Sequence, residues 1–407
     1  MHQCHPIGYL LFLAMTTVLF LGHAASHAAE RNEEADGQDT PGYLADVFSR
    51  GSGGYPQIRI PSVVTTQNGV ILAFAEGRQY DDHSENDIIM KRSTDGGASW
   101  GPLQVLSDMG SDSLNDPCAV ALDDGRVLLL FQRFPRGYHA RIMAHTEMAD
   151  LGYGGPTNTQ SFLTFSDDDG LTWSEPEDVT RALRREDAIS IGSPGIGIQL
   201  EFGEHKGRIV LPLYEVIPLG DGDRYWYNCA AFSDDGGRTW QLGARVPHGD
   251  VEGYANEAQI VELEDGRILM NARNTTDKPC RKVSVSHDGG QTWEPMREDC
   301  ALVAPPCMGS IITYPHPATG RQLVLVSLPN TPGSRSNGTI FISSDGGRTW
   351  PIKRVIYPGE FGYSCLTILP DGRIGCLYER DDADNYQAAH ITFAAFDIEW
   401  LLGGGQM

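Results

Sequence analysis

The chain has 407 residues, 40% of them hydrophobic and 21% charged, with a formal net charge of −23. The composition is that of an ordinary globular protein, and the length is enough for a large buried core. A net field of that sign repels nucleic acid, anionic membranes and acidic ligands, so any anionic ligand must be held by a local cluster of cations.

In chain order, residues 9–22 form the apolar run "YLLFLAMTTVLFLG", shorter than the roughly 20 residues of a comfortable membrane span. Small residues follow at Ser26 and Ala28, so residues 1–28 read as a signal peptide cut after Ala28, although its first residues lack Lys and Arg. An uncleaved anchor is the alternative. Residues 29–48 are acidic and small, which predicts a flexible lead-in. Export would make the mature chain secreted or periplasmic, with no membrane span once the leader is removed, and would permit disulfides. Seven cysteines remain beyond Cys4, so at most three pairs can form. Cys280/Cys300 and Cys365/Cys376 are the candidate pairs, and the absence of any CxxC argues against zinc-ribbon and thioredoxin-like readings.

From residue 68 onward two patterns alternate. The pattern S-x-D-x-G-x-[ST]-W occurs five times, at 93–100, 166–173, 233–240, 286–293 and 343–350, and these boxes hold five of the seven tryptophans. A Gly turn leading into an apolar strand occurs six times, at 68–76, 123–131, 206–214, 264–272, 319–327 and 370–379. Repeats with a period near fifty indicate a propeller, solenoid or array. Each unit reads strand, Gly turn, strand, box hairpin, strand, which predicts an all-β, six-bladed β-propeller of four-stranded antiparallel blades over residues 49–402. "EDVTRALRRED" (177–187) is the single plausible helix, and "HITFAAFDI" (390–398) is a last strand that could complete a blade begun near the N-terminus. In each box, Asp-Gly and Gly-Gly supply the positive φ of a tight hairpin, the Asp carboxylate can accept turn amides, and the Trp packs between sheets. "DDDG" at 167–170 raises the question of calcium, but no carboxylate stands at the twelfth loop position, so the boxes read as structural.

The five boxes, the six units and "RIP" at Arg59–Pro61 together resemble the exo-α-sialidase (neuraminidase) superfamily over roughly residues 50–400. The resemblance implies an enzyme that removes terminal sialic acids from glycoproteins, glycolipids or oligosaccharides, with no metal or organic cofactor and no nucleic-acid partner. A sugar with a carboxylate on its anomeric carbon calls for bidentate guanidinium donors. At the family's positions for these stand Arg59, Arg273 and Arg335, with Glu379 matching the acid that orients the first. An attacking carboxylate would be repelled by that substrate, whereas a neutral phenol is not; sialidases use a Tyr nucleophile. Tyr363 in "FGYSCL" matches it, and Glu257 in "YANEAQ" matches the base that takes its proton. The acid/base position falls in the loop 76–93, where Asp82 matches best and Asp81 is one slip away. Arg78 and Asp116 match a further ligand-contacting arginine and an acid that reads a sugar hydroxyl. Ile196 stands where relatives often carry a polar residue, which leaves substrate breadth open, and nothing before residue 50 or after 400 resembles an appended lectin domain. Asn274 and Asn337 are in N-x-[ST] sites, but a glycan beside Arg273 is hard to accommodate, which favours a bacterial exported protein. Two other readings stand beside this one. One is a non-catalytic box propeller that binds glycans. The other is a glycosidase on a non-sialic sugar that pairs Asp82 with Asp116 or Glu257.

Overall fold

A computed structural model describes residues 43–403 except 143–144, 220–222, 317, 384 and 386. The chain divides into a segment 1–39 and a unit 40–407, and every described residue belongs to the second. The signal peptide and most of the expected lead-in thus lie outside the described residues. The lead-in was set too long at its C-terminal end, because Tyr43–Ser49 is a strand. Its partner is His390–Phe396, antiparallel, so the first described strand lies beside the last.

The fold is all-β, and its strands run in antiparallel meanders. Gln57–Thr65, Ile71–Arg78, Asn86–Ser93 and Gln104–Ser107 pair in sequence. Ser113–Ala121, Val127–Phe134, Gln160–Ser166 and Glu177–Asp178 repeat the pattern, as do Ala255–Glu262, Ile268–Asn274, Arg281–Ser286 and Arg297–Asp299. The long strand Ile352–Ile368 serves two meanders. Its first half pairs with Ser336–Ser343 and its second half with Ile374–Arg380. Strands such as Val127–Phe134 are almost continuously apolar, because both of their faces are covered by neighbouring sheets.

Each box folds as one hydrogen-bonded unit. In "SDDGGRTW", the Ser233 hydroxyl donates to Asp235 at 2.8 Å and accepts the Gly237 amide at 2.8 Å. Asp235 also accepts the Thr239 amide and hydroxyl at 2.9 and 2.6 Å, and these bonds, led by the Thr239 hydroxyl, bring its pKa down to about 2. Gly237 has φ +88, which favours glycine, and a Cβ there would press on the Leu128 side chain. The box tryptophans join neighbouring meanders: Trp100 meets Phe393 edge-on at 5.4 Å, and Trp173 meets Phe74 in the same way at 5.7 Å.

Two expectations need correction. The helix expected at 177–187 is a short strand followed by the one-turn helix Thr180–Leu183, and a second one-turn helix, Ile398–Leu401, takes up the end of the expected last strand. Cys280–Cys300 is a disulfide, but Cys365 and Cys376 are free and buried. Cys365 lies opposite Leu377 and Cys376 opposite Leu366, so the two thiols point to opposite faces of one sheet and belong to different core layers.

Candidate active site

A cavity of about 730 Å³ opens where the first strands of several meanders come together. One local device aims their side chains into it. The register shifts between Arg59 and Ser62, between Asn115 and Cys118, between Ala255 and Ala258, and between Phe361 and Ser364. Asp116, Glu257 and Tyr363 fall inside these bulges, and Arg59, still paired with Glu76, immediately precedes its own. A bulge leaves a residue out of the ladder and re-aims it, and here four strands use one at the same level. Pro61, with no N–H to donate, suits an unpaired position, while Ile60 and Asp116 take positive φ values of 62° and 57°.

The cavity floor is a connected charge network. Arg59 grips Glu379 with two bonds, Nε to Oε1 at 3.0 Å and Nη2 to Oε2 at 2.8 Å. The Glu379 carboxylate also accepts the amides of Ile60 and Tyr363 at 2.9 and 3.1 Å. Burial opposes its charge, yet Arg59 outweighs that cost and holds the carboxyl below its ordinary range. The Tyr363 hydroxyl donates to Glu257 Oε1 at 2.6 Å and accepts from Arg273 Nη1 at 2.8 Å. Arg273 bonds Glu257 as well, at 2.9 and 3.0 Å. The guanidiniums of Arg59 and Arg335 lie over the Tyr363 ring at 5.2 and 5.0 Å. Burial pushes the Tyr363 phenol well above its usual range, with Glu257 adding to the rise and Arg273 opposing it, so the hydroxyl is protonated at rest. Arg335 donates to the Pro306 carbonyl at 3.1 Å, and the fully buried Arg281 donates to the adjoining Cys307 carbonyl.

One wall carries Asp82. Arg78 donates to its Oδ1, and Arg141 Nη2 donates to its Oδ2 at 2.9 Å. Burial works against the charge, but Arg78, Arg59 and Arg141 together keep the carboxyl far below its ordinary range. Asp81 instead caps its own turn by accepting the His83 amide at 2.8 Å, with its residue exposed. The loop thus aims Asp82, and not Asp81, at the arginines. Asp116 stands on the neighbouring strand, with its amide donating at 2.7 Å to the buried Glu76, which also pairs with Arg78. Burial, then Glu76, Glu257 and Asp82, push its carboxyl well up.

Of the nine residues expected at the site, Arg59, Arg78, Asp82, Asp116, Glu257, Arg273 and Tyr363 line the cavity, while Glu379 contacts Arg59 and Arg335 lies over the Tyr363 ring. Ile196 lies away from the cavity: it pairs with Ala119 and packs against the core on the far side of the inner strands. Sequence reasoning missed Arg141, Arg224, Tyr214, Trp226 and Tyr254 on the wall, and Glu76 beneath Arg78. Glu76 adjoins the Gly-Arg pair of a recognised strand end and could have been inferred as its counter-ion. Tyr214 ends the Gly-turn strand 206–214 and Tyr254 opens "YANEAQ", so both lie inside strings recognised for other residues, whereas Arg141, Arg224 and Trp226 have no motif around them.

Fold and site together define a class: an all-β, box-repeat protein with a hydrogen-bonded tyrosine–glutamate pair in an arginine-lined cavity. A model of the BNR repeat-like domain matches residues 68–376. The chain is 33% identical to a sialidase of Micromonospora viridifaciens over 98% of its own length, and it spans 60% of the length of that relative. It is 30% identical to an exo-alpha-sialidase of Aspergillus fumigatus, covering 88% of each. A solved structure, Hadza microbial sialidase Hz136, matches with a TM-score of 0.75 at 28% identity, over 88% of this chain and 69% of that one. The chain belongs to the exo-α-sialidase superfamily of BNR-repeat proteins.

Proposed function

We propose that the protein is an exported, retaining exo-α-sialidase that hydrolyses terminal sialic acids from glycoconjugates, on a ring of six four-stranded blades. The observation that carries this reading is the Tyr363 hydroxyl, bonded at once to Glu257 and Arg273 beneath the Arg59 and Arg335 guanidiniums. Blades of four strands fit the meanders and the pairing of Tyr43–Ser49 with His390–Phe396, which would close the ring. Export fits the apolar leader and the Cys280–Cys300 disulfide.

In this reading Arg59, Arg273 and Arg335 clamp the substrate carboxylate, which satisfies the need for local cations in a chain at −23. Arg78 and Asp116 bind sugar hydroxyls or the acylamino side. The Tyr363 oxygen bonds to the anomeric carbon while its proton passes to Glu257, and the bond to the leaving oxygen breaks as Asp82 protonates that oxygen. Water, deprotonated by Asp82, then displaces Tyr363, and Glu257 returns the proton to the phenol. Two inversions give retention. Asp82 is charged at rest, so it must gain a proton on binding. A substrate anion among the arginines offsets the cationic field that keeps Asp82 ionised, which moves its pKa in the required direction.

The test is turnover of a fluorogenic aryl α-sialoside, with Tyr363→Phe and Asp81→Ala as comparisons. Unmutated protein turns it over, Tyr363→Phe falls by roughly three orders of magnitude or more, and Asp81→Ala stays near full rate. Absence of turnover across several sialosides would refute the reading.

A further inference from the structure

Beyond the sugar site, the mouth of the cavity on the Asp82 side carries two arginines. Arg78 holds one oxygen of Asp82 from a buried position, whereas Arg141 holds the other from the mouth, with its side chain 37% exposed. Arg224 lines the same wall, its guanidinium over the Trp226 ring at 5.4 Å. Among the described residues it forms no ion pair; the adjacent Asp223 carboxylate accepts its backbone amide at 2.8 Å. Arg141, Asp223 and Arg224 line the same cavity; burial and then the charge of Arg141 lower the Arg224 pKa, and the Asp223 carboxylate opposes them.

We propose that Arg141 and Arg224 form a subsite for an anionic leaving group, a sugar that itself carries a carboxylate or a sulfate. The inference rests on the reading of Asp82 as the general acid. The group that protonates the leaving oxygen faces the leaving group, and Arg141 is its contact on the solvent side. For the acid step Asp82 must carry a proton, and Arg141 then loses its counter-ion beside a second cation. An anion on the departing sugar replaces that counter-ion and removes one of the charges that keep Asp82 ionised. Trp226 carries the Arg224 guanidinium over its ring and so holds that cation at the cavity wall. A neutral leaving group supplies neither the ion pair nor the help to Asp82.

The experiment compares kcat/KM at low salt for three substrates. These are 3′-sialyllactose, an α2,8-linked disialoside whose leaving sugar bears a carboxylate, and a sialoside of a sulfated lactosamine. At least one anionic substrate is expected to exceed sialyllactose by about tenfold, the scale of one charge-assisted hydrogen bond, and to lose most of that lead in 0.5 M NaCl. Preference for the disialoside alone identifies a second sialic acid as the natural source, and preference for the sulfated sugar alone identifies sulfate. Arg224→Ala is expected to bring the ratio of kcat/KM on each anionic substrate to that on sialyllactose down to about one within the same variant, and Arg224→Glu to push that ratio below one. Equal rates on all three substrates, or a lead that survives Arg224→Ala, would overturn the subsite. Absence of turnover on every substrate overturns the proposed function itself, which keeps the two failures distinguishable.

Discussion

At the scale of single residues, the site reinforces the ordinary protonation states of Tyr363 and Asp82, neutral and charged, and the proposed reaction must reverse both. Tyr363 is held neutral by burial, so its attack depends on an acceptor already in place, and Glu257 at 2.6 Å is that acceptor. Asp82 is held charged by arginines, so its acid role depends on the substrate. Asp82→Ala is therefore expected to lose about 10²- to 10⁴-fold on natural sialosides, and far less on an aryl sialoside whose phenolate leaves without a proton. Measuring kcat/KM for both substrates checks this, and equal losses would count against Asp82 as the acid. Asp116 is costly in another way. Its folded pKa lies above that of the unfolded chain, so its favourable contribution is full below about pH 4 and is lost as pH rises through the raised value. Asp116→Asn is expected to raise the melting temperature at pH 7, with the gain shrinking toward pH 4, and to impair turnover. The motif residues Arg59, Arg273, Arg335, Tyr363 and Glu379 were legible in the sequence because short recognisable strings surround them. Arg141 was not, because it meets Asp82 across 59 residues of chain in a connection with no pattern.

At the scale of elements, the boxes were legible because everything they do is local. Ser, Asp, Gly and Thr fall within one hairpin, and the sequence alone shows which oxygen can reach which amide. Ser233 is buried and accepts the Gly237 amide, so Ser233→Ala strands that donor and removes a partner of Asp235. We expect a loss of about 1–3 kcal/mol in a denaturant titration, with sialidase KM unchanged because the box lies away from the cavity. The bulges were illegible for the opposite reason. A bulge is a mismatch between two strands, and "QIRIPS" alone does not reveal that Arg59 and Ser62 are separated by a register shift. The failed Cys365/Cys376 pairing has the same origin, since strand register decides the face to which each thiol points.

At the scale of the whole molecule, the strand Tyr43–Ser49 links stability to chemistry. It covers His390–Phe396, which pairs in turn with Ile374–Arg380, the strand that carries Glu379. Glu379 fixes Arg59 and accepts the Tyr363 amide, so the outer edge of this sheet reaches Tyr363 through two strands and one carboxylate. The covering strand is hard to see in the sequence because acidic, small residues precede it and dilute its pattern. A chain beginning at Arg50 loses Val47 and Phe48, both buried, together with the Asp46 ion pair to Arg380. Burial of the two apolar side chains alone is worth roughly 3–6 kcal/mol, and the bared His390–Phe396 edge invites pairing with other chains. Compared with a chain beginning at Tyr43, the shorter one is expected to melt several degrees lower and to aggregate on heating. Its KM for sialosides should rise more than its kcat falls, because Arg59 loses rigidity before Tyr363 loses Glu257, which belongs to a different sheet. An unchanged melting temperature would show that the closing strand contributes nothing to the fold. A lower melting temperature with an unchanged KM would show that the Glu379 brace does not depend on it.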